Sequence, residues 1–403
     1  MIFKNKNFMI IWIAQFISKI GNEFHSIALM WYIMQLTGST IQMGTSLIFS
    51  ELPMIILGAF AGVIADRYDR KKIIIICDFL SGLLVAAIFI LTLKKTRNVA
   101  YLYGISFLIS SVSAFFSPCY SALIPAVVKE EDLPSANSAS QFSSGISSIL
   151  GPAAAGILIY FIGIPGLFLV NSISFILACI LESFIIVPKS QKGNLTIKNF
   201  REDVKEGFLF SIKNKVLLNY IIVGGAVINF FAAPLSIFIP VFSKNILNGQ
   251  SGSYGFLLSS LAVGGTAASV ICALKGKKFN PFRMITLSLC FEGIFMCVFA
   301  LSKNLIFSLI SLFLLGSSFG FCSIYLSTVF QKLIPNKMMG RVSSLGNILC
   351  CISVPLGYFF GGIFADKYKV TNVILVYGIL VFASALSTIR NIKVQQSADT
   401  PSF

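Results

Sequence analysis

The stretch Gly62-Val-Ile-Ala-Asp66-Arg67-Tyr-Asp69-Arg70-Lys71-Lys72 packs six charges into its last seven residues, between the apolar runs 41–61 and 73–93. A charged side chain at the centre of a bilayer costs ~2.5–3.5 kcal/mol on insertion scales. This segment therefore lies outside the hydrocarbon, and the runs on either side read as two membrane-spanning helices joined by a tight loop. Gly62 lets a neighbouring backbone approach where the helix ends. Asp66 is suited to accept from a helix N-terminus or an Arg, and Arg70 offers a planar fork to carboxylates. A positive anchor for a short loop explains Arg67, Arg70, Lys71 and Lys72. It leaves Asp66 and Asp69, at fixed spacing after Gly62, unexplained.

Reading outward, the 403 residues are 56% hydrophobic and only 11% charged, with mean hydropathy +0.87. A soluble domain averages about 25% charged residues, so the chain is an integral membrane protein. A crossing needs about 20 apolar residues, and lipid offers backbone groups no water, so the crossings are helices. About twelve are expected: 8–36, 41–65, 73–93, 99–124, 136–161 and 164–187, then 216–242, 252–274, 282–302, 304–331, 342–365 and 371–389. The first run starts at Phe8 without a small-residue cleavage site, which reads as no removable signal peptide. The fold expected is an all-α polytopic membrane protein of two six-helix halves, 1–187 and 215–390, with a disordered tail at 391–403. Ser121-Ala-Leu-Ile-Pro125 and Gln331-Lys-Leu-Ile-Pro335, at the ends of the fourth and tenth helices, mark the repeat. The linker 188–214 is rich in Lys and Glu and places Ile197, Phe200, Val204 and Phe208 at helical spacing. Two readings stay open for it, an amphipathic helix on the inner leaflet and a solvated charged connection.

The net charge of +16 is distributed by topology. With the N-terminus inside, 23 Lys and Arg fall on the cytoplasmic side, 7 outside and Lys19 within the membrane. That asymmetry follows the positive-inside rule and makes both termini cytoplasmic. No basic stripe interleaved with aromatics lies outside the membrane, which argues against nucleic-acid binding. The nine cysteines all fall in apolar runs, without metal-ligand spacing to the single histidine, His25, and read as small hydrophobes. There is no G-x-x-x-x-G-K-[ST] loop and no segment large enough for a soluble catalytic domain. Neither an enzyme nor an ATP-driven pump is expected, and no cofactor or metal.

Ionisable residues inside a membrane are functional candidates by default. Here they are Lys19, Glu23 and His25 on the first helix, Glu51 on the second, Asp78 on the third, Glu182 on the sixth and Glu292 on the ninth. Glu23 lies roughly 18 Å and Glu51 roughly 15 Å from the external helix ends, at 1.5 Å per residue, so the two share a depth. Desolvation disfavours a charged carboxyl, which makes Glu23, Glu51 and Glu292 the proton-coupling candidates. Each has a structural alternative. Lys19 and Glu23, at i,i+4, pair with each other; Asp78 pairs with Arg67 or Arg70 in a latch; Glu182 snorkels to the inner surface. Gln15, Gln141, Asn171, Asn229 and Asn347 are the mid-depth polar candidates for a mostly apolar substrate cavity, or else glue between helices. Gly145, Gly151, Pro152 and Gly156 form a small-residue face on helix five, softened where Pro152 removes a backbone hydrogen bond.

The opening stretch resembles the G-x-x-x-D-R-x-x-R-K-K loop of the major facilitator superfamily. The resemblance implies that Gly62, Asp66, Arg67 and Arg70, with Asp78, act as a latch holding the outward-facing state shut on the cytoplasmic side. The glycines around Pro152 resemble the Gly-Pro motif of that superfamily's exporters, where it forms a bending face. Phe116-Ser-Pro118-Cys-Tyr120 through Pro125, Leu133-x3-Asn137-Ser138, Thr37-Gly38-Ser39 and Gln331-x3-Pro335-x4-Gly340-Arg341-Val342 are similar to the macrolide-efflux and enterobactin-exporter branch. Two departures stand out. Residues 99–124 lack the helix-four Arg of the drug–proton antiporters, and Asp78 is followed by Ser81 where the branch often carries an Arg. The resemblance implies a monomeric secondary exporter of amphiphilic small molecules, of macrolide or siderophore type, in a bacterial-type cell membrane, working by alternating access with proton antiport. Its rivals are an uncoupled lipid or lysophospholipid facilitator and a receptor or scaffold that has lost transport.

Overall fold

The computed structural model describes residues 2, 5–186, 209–335 and 338–399. The linker reading therefore falls largely outside the described residues, although 209–213 is helical. Every described element is helical, as a chain without water for its backbone requires.

The first unit comprises Met1–Thr196 with Gln250–Ser259. Its helices are α1 Lys6–Thr37, α2 Thr40–Arg67, α3 Arg70–Leu93 and α4 Ala100–Val127, followed by the run Leu133–Ser183. That run breaks at Gly163, whose φ of 69° and ψ of 174° only glycine adopts freely, with Pro165 two residues on. It is thus two antiparallel spans, α5 at 133–162 and α6 at 164–183. Starts and stops follow side-chain chemistry. Asn5, Ser39 and Asp69 accept from the amides of Phe8 at 3.2 Å, Gln42 at 3.4 Å and Lys71 at 3.0 Å. Gly38, left-handed at φ 65°, closes α1. Within the unit α1 packs on α5 and α6, α2 on α4, and α3 on α4 and α6.

The second unit comprises Ile197–Gly249 and Ser260–Phe403. Its first span, α7, covers Lys215–Asn245. The sequence predicts one regular helix here, and the structure interrupts it twice. A π turn occupies Val223–Val227, and a break falls between Ala232 and Leu235. The cause is local: Gly224 and Gly225 are poor helix formers, and the Asn229 amide donates to both their carbonyls, at 2.8 and 3.2 Å. Pro234 then lacks the N–H that would continue the ladder. The remaining spans are α8 Ser251–Lys275, which begins in the first unit, then α9 Pro281–Leu301, α10 Leu305–Leu333, α11 Met339–Lys367 and α12 Val370–Asp399. The last of these continues through most of the segment read as a tail. Small residues bring α8 and α10 together: a Cβ on Gly264 would meet the Phe313 carbonyl, and one on Gly316 the Leu261 carbonyl. The packing repeats that of the first unit, with α9 on α12 as α3 is on α6, and α7 on α11 as α1 is on α5.

Candidate functional site

The charged loop ties four helix ends together through main-chain carbonyls. Arg70 Nε donates to the Ala65 carbonyl at 3.0 Å, and a terminal guanidinium nitrogen to that of Ala122 in α4 at 3.4 Å. Lys71 Nζ donates to the Ser183 carbonyl at the end of α6 at 2.8 Å. The carbonyls of Ala65 and Ser183 lie in the last turn of their helices, where intrahelical partners run out and the negative dipole end sits, so cations belong there; that of Ala122 lies a turn further in. Asp69 caps the N-terminus of α3. Arg67 is exposed, and no described residue lies within 4 Å of where a Cβ on Gly62 would stand. The close approach expected at Gly62 is therefore not made among the described residues.

Asp78 does not join this loop. It is 3% exposed and lines a small cavity with Cys77, and among the described residues it has no ion pair with Arg67 or Arg70. Glu182 does not snorkel. It is fully buried and accepts from Gln15 Nε2 at 3.5 Å.

The glycine face of α5 seats α1 and the first two turns of α8. A Cβ on Gly151 would stand 2.5 Å from Glu23 Cβ, and one on Gly156 2.7 Å from the Ser251 carbonyl. In return, a Cβ on Gly255 would meet the Pro152 carbonyl. Ser251 Oγ donates to the Gly156 carbonyl at 3.0 Å and Ser259 Oγ to that of Ile149 at 2.6 Å. Gly145, by contrast, has open space beside it. The partner residues Ser251, Gly252, Gly255 and Ser259 were not singled out from the sequence. Their signal is the small-residue run Ser251-Gly-Ser-Tyr-Gly255, which announces a tight crossing but not its partner.

The coupling candidates are scattered. Glu23 is half-buried beside Gly151 and Tyr254, whereas Glu51 is exposed. Lys19 does not neutralise Glu23. Its Nζ donates to Ser144 Oγ at 2.7 Å and the Ser140 carbonyl at 3.5 Å, both on α5. The His25 ring stands edge-on to Phe168, with centroids 5.2 Å apart. Glu292 is fully buried in the second unit beside the Cys322 thiol, a weak donor, and neither carboxyl oxygen accepts from an N–H or O–H group among the described residues.

Of the polar candidates, Gln15 lines a cavity of about 60 Å³ in the first unit, together with Ser18, Asn22, Asp78 and Ser81. Asn171 is glue, packed with Ser174 against Gly21 where α6 crosses α1. Asn229 holds the π turn, and Gln141 and Asn347 are exposed. A larger cavity, about 510 Å³, opens in the second unit between α7, α11 and α12, lined by Phe230, Phe231, Phe364, Tyr368, Val376 and Tyr377 among others. Composition hides such a place, because aromatic residues also face lipid. Among the described residues no cluster of His, Cys, Asp and Glu is arranged to hold a metal.

Comparison with known proteins bears on the whole chain. Residues 2–402 match the model of the family described as transmembrane secretion effector. Macrolide efflux protein A of Streptococcus pyogenes is 26% identical over 94% of both chains. The enterobactin exporter EntS of Escherichia coli is 22% identical over 84% of this chain and 80% of its own. The crystal structure of the nucleoside transporter NupG superposes with a TM-score of 0.78 at 12% identity, covering 96% of this chain and 99% of that one, a likeness of fold. With its helical spans, internal repeat and full-length match, the chain belongs to the transmembrane secretion effector family of the major facilitator superfamily and is a multi-pass membrane transporter, not an enzyme.

Proposed function

We propose that this chain is a monomeric secondary exporter that moves amphiphilic small molecules, of macrolide or siderophore type, out of the cytoplasm by alternating access in exchange for protons. The observation that carries the reading is the match, along nearly the full length of both chains, with a protein named for macrolide efflux. The aromatic cavity beside α7 supports it, since amphiphilic cargo suits a mostly apolar pocket with few polar groups. In this reading 1–187 and 215–390 are the two moving bundles, both termini are cytoplasmic, and 188–214 links the bundles there. Gly62, Asp66, Arg67 and Arg70 bias one of two conformations. Glu23, Glu51 and Glu292 are the carboxyls to test as proton carriers.

The experiment is an accumulation and susceptibility panel of macrolides, dyes and siderophores in an efflux-deficient bacterial host. Lower accumulation of at least one amphiphile, restored by collapsing the proton gradient, is expected. Equal accumulation with and without the protein across the panel overturns the reading. One observation favours a second, uncoupled facilitation of a lysophospholipid-like amphiphile: among the described residues no carboxyl lines the larger cavity. Transport into proteoliposomes with and without a pH gradient separates the two.

A further inference from the structure

Two carboxylic acids are buried inside the first unit with no counter-charge among the described residues, and Gln15 links one to the cavity that the other lines. Asp78 lies about two turns into α3, and Glu182 on the last turn of α6. Both are buried, and each lies in the other's field. The Gln15 amide reaches Glu182 Oε1 from α1. Asp78 Oδ2, Glu182 Oε2 and Ser18 Oγ are buried with no hydrogen-bond partner among the described residues. Asp78 and Ser18 face the 60 Å³ cavity, whose further polar lining is Gln15, Asn22, Ser81 and Ser113.

The surrounding cations are directed elsewhere. Lys71 reaches the Ser183 carbonyl, Arg70 the carbonyls of Ala65 and Ala122, and Lys19 the residues Ser140 and Ser144. The other titratable groups around the two acids are Cys77, Cys119, Cys179 and Tyr120. None of these brings a positive charge. Neither acid has an ion pair among the described residues.

Burying a bare ion costs several kcal/mol even after relaxation, and like charges within one buried region repel as well. Among the described residues nothing neutralises them, which leaves that role to a species taken up from solution. A water-sized occupant fits a cavity of this volume. The donors on offer are oxygens of a carboxylate, a carboxamide and hydroxyls, which suit a hard cation and not a soft one.

We propose that Asp78 and Glu182, with Gln15, Ser18 and Ser81, form a binding site for one small monovalent cation, H⁺ or Na⁺, in the interior of the first unit. Binding here is independent of the exported substrate. That this site couples export to an ion gradient rests on the exporter reading. Its place favours coupling, because the apolar cluster Ile11, Ala65, Ile74, Cys119, Leu123 and Ile185 joins α1, the end of α2, α3, α4 and the residues just after α6, and so links the helices that carry the two acids to the charged loop. An occupant that changes the spacing of α3 and α6 changes the seat of that loop.

The test uses the purified full-length protein in detergent, without substrate. Infrared difference spectra are recorded between mildly acidic and mildly alkaline buffer, and between K⁺ and Na⁺ at one pH. The expected result is a carboxyl signal that responds to at least one of these exchanges. It disappears in Asp78→Asn and Glu182→Gln but persists in Glu23→Gln and Glu292→Gln. A response to pH alone identifies the occupant as H⁺, and a response to Na⁺ at fixed pH identifies it as Na⁺. Ser81→Ala, which keeps both acids, should shift the midpoint about tenfold in cation concentration, and it preserves the test if the acid variants do not fold. Full wild-type signals in both acid variants, or an unmoved midpoint in Ser81→Ala where those variants are lost, overturn the site. A lost signal with ion-dependent transport intact upholds the site and overturns its coupling role. A lost signal in a chain that exports nothing upholds the site and overturns the exporter reading.

Discussion

At the scale of single residues, burial sorts carboxyls that look alike in the sequence. Glu292 sits fully buried inside α9 beside the Cys322 thiol, a weak donor, and neither carboxyl oxygen accepts from an N–H or O–H group among the described residues. A buried polar group without a partner costs about 1–3 kcal/mol. Glu292→Met, close in volume, should therefore raise the unfolding temperature in detergent, read by intrinsic fluorescence. If Glu292 carries a proton it should also lower export. A destabilised Glu292→Met would mean that the carboxyl has a favourable partner after all. Glu23 and Glu51 separate by exposure, the first half-buried beside Gly151 and the second open. Glu23→Gln should reduce proton-driven export in proteoliposomes more than Glu51→Gln does; the reverse order would move the coupling step to α2.

At the scale of elements, the glycine face of α5 is a fitted surface, and its positions are not equivalent. Gly145→Ala fills open space in a helix and should stabilise by about 0.5–1 kcal/mol. Gly255→Ala drives a methyl into the Pro152 carbonyl and should destabilise by about 1–3 kcal/mol. Thermal unfolding of the two variants checks the pair, and equal shifts would mean that the α5–α8 seat relaxes freely. The charged loop is likewise an element-level device. Arg70 reaches two carbonyls on two helices at once, which a lysine, with its single ammonium, does less well. Asp66→Asn and Arg70→Ala are each expected to cut export with insertion unchanged, and Arg70→Lys to fall between. Wild-type efflux by all three at matched expression would remove the latch.

At the scale of the whole molecule, topology follows from charge. With 23 of 31 Lys and Arg on one side of the twelve expected spans, residue 195 should face the cytoplasm and Gln250 the outside. Single cysteines replacing Leu195 and Gln250, in a cysteine-free background, are tested with an impermeant thiol reagent on intact cells. Labelling confined to position 250 is expected, and labelling at 195 would invert the topology. The match to efflux proteins likewise holds along the whole chain, not at one motif.

The sequence by itself determined the class, the spans and their repeat. Hydropathy, loop charge and the Gly62–Lys72 stretch are linear signals, and a bilayer enforces them segment by segment. It also separated the spans 136–161 and 164–187, where the chain breaks at Gly163, because that effect is local to a turn. What only the tertiary structure decided is which side chains meet. Gln15 reaches Glu182 across more than a hundred residues of chain, Lys19 turns to Ser144 instead of Glu23, and Gly151 and Pro152 find their partners at Glu23 and Gly255. Such pairings depend on the rotation of each helix about its own axis, and that is set by packing against neighbours. In a chain where apolar residues surround nearly every helix, no hydrophobic stripe records that rotation.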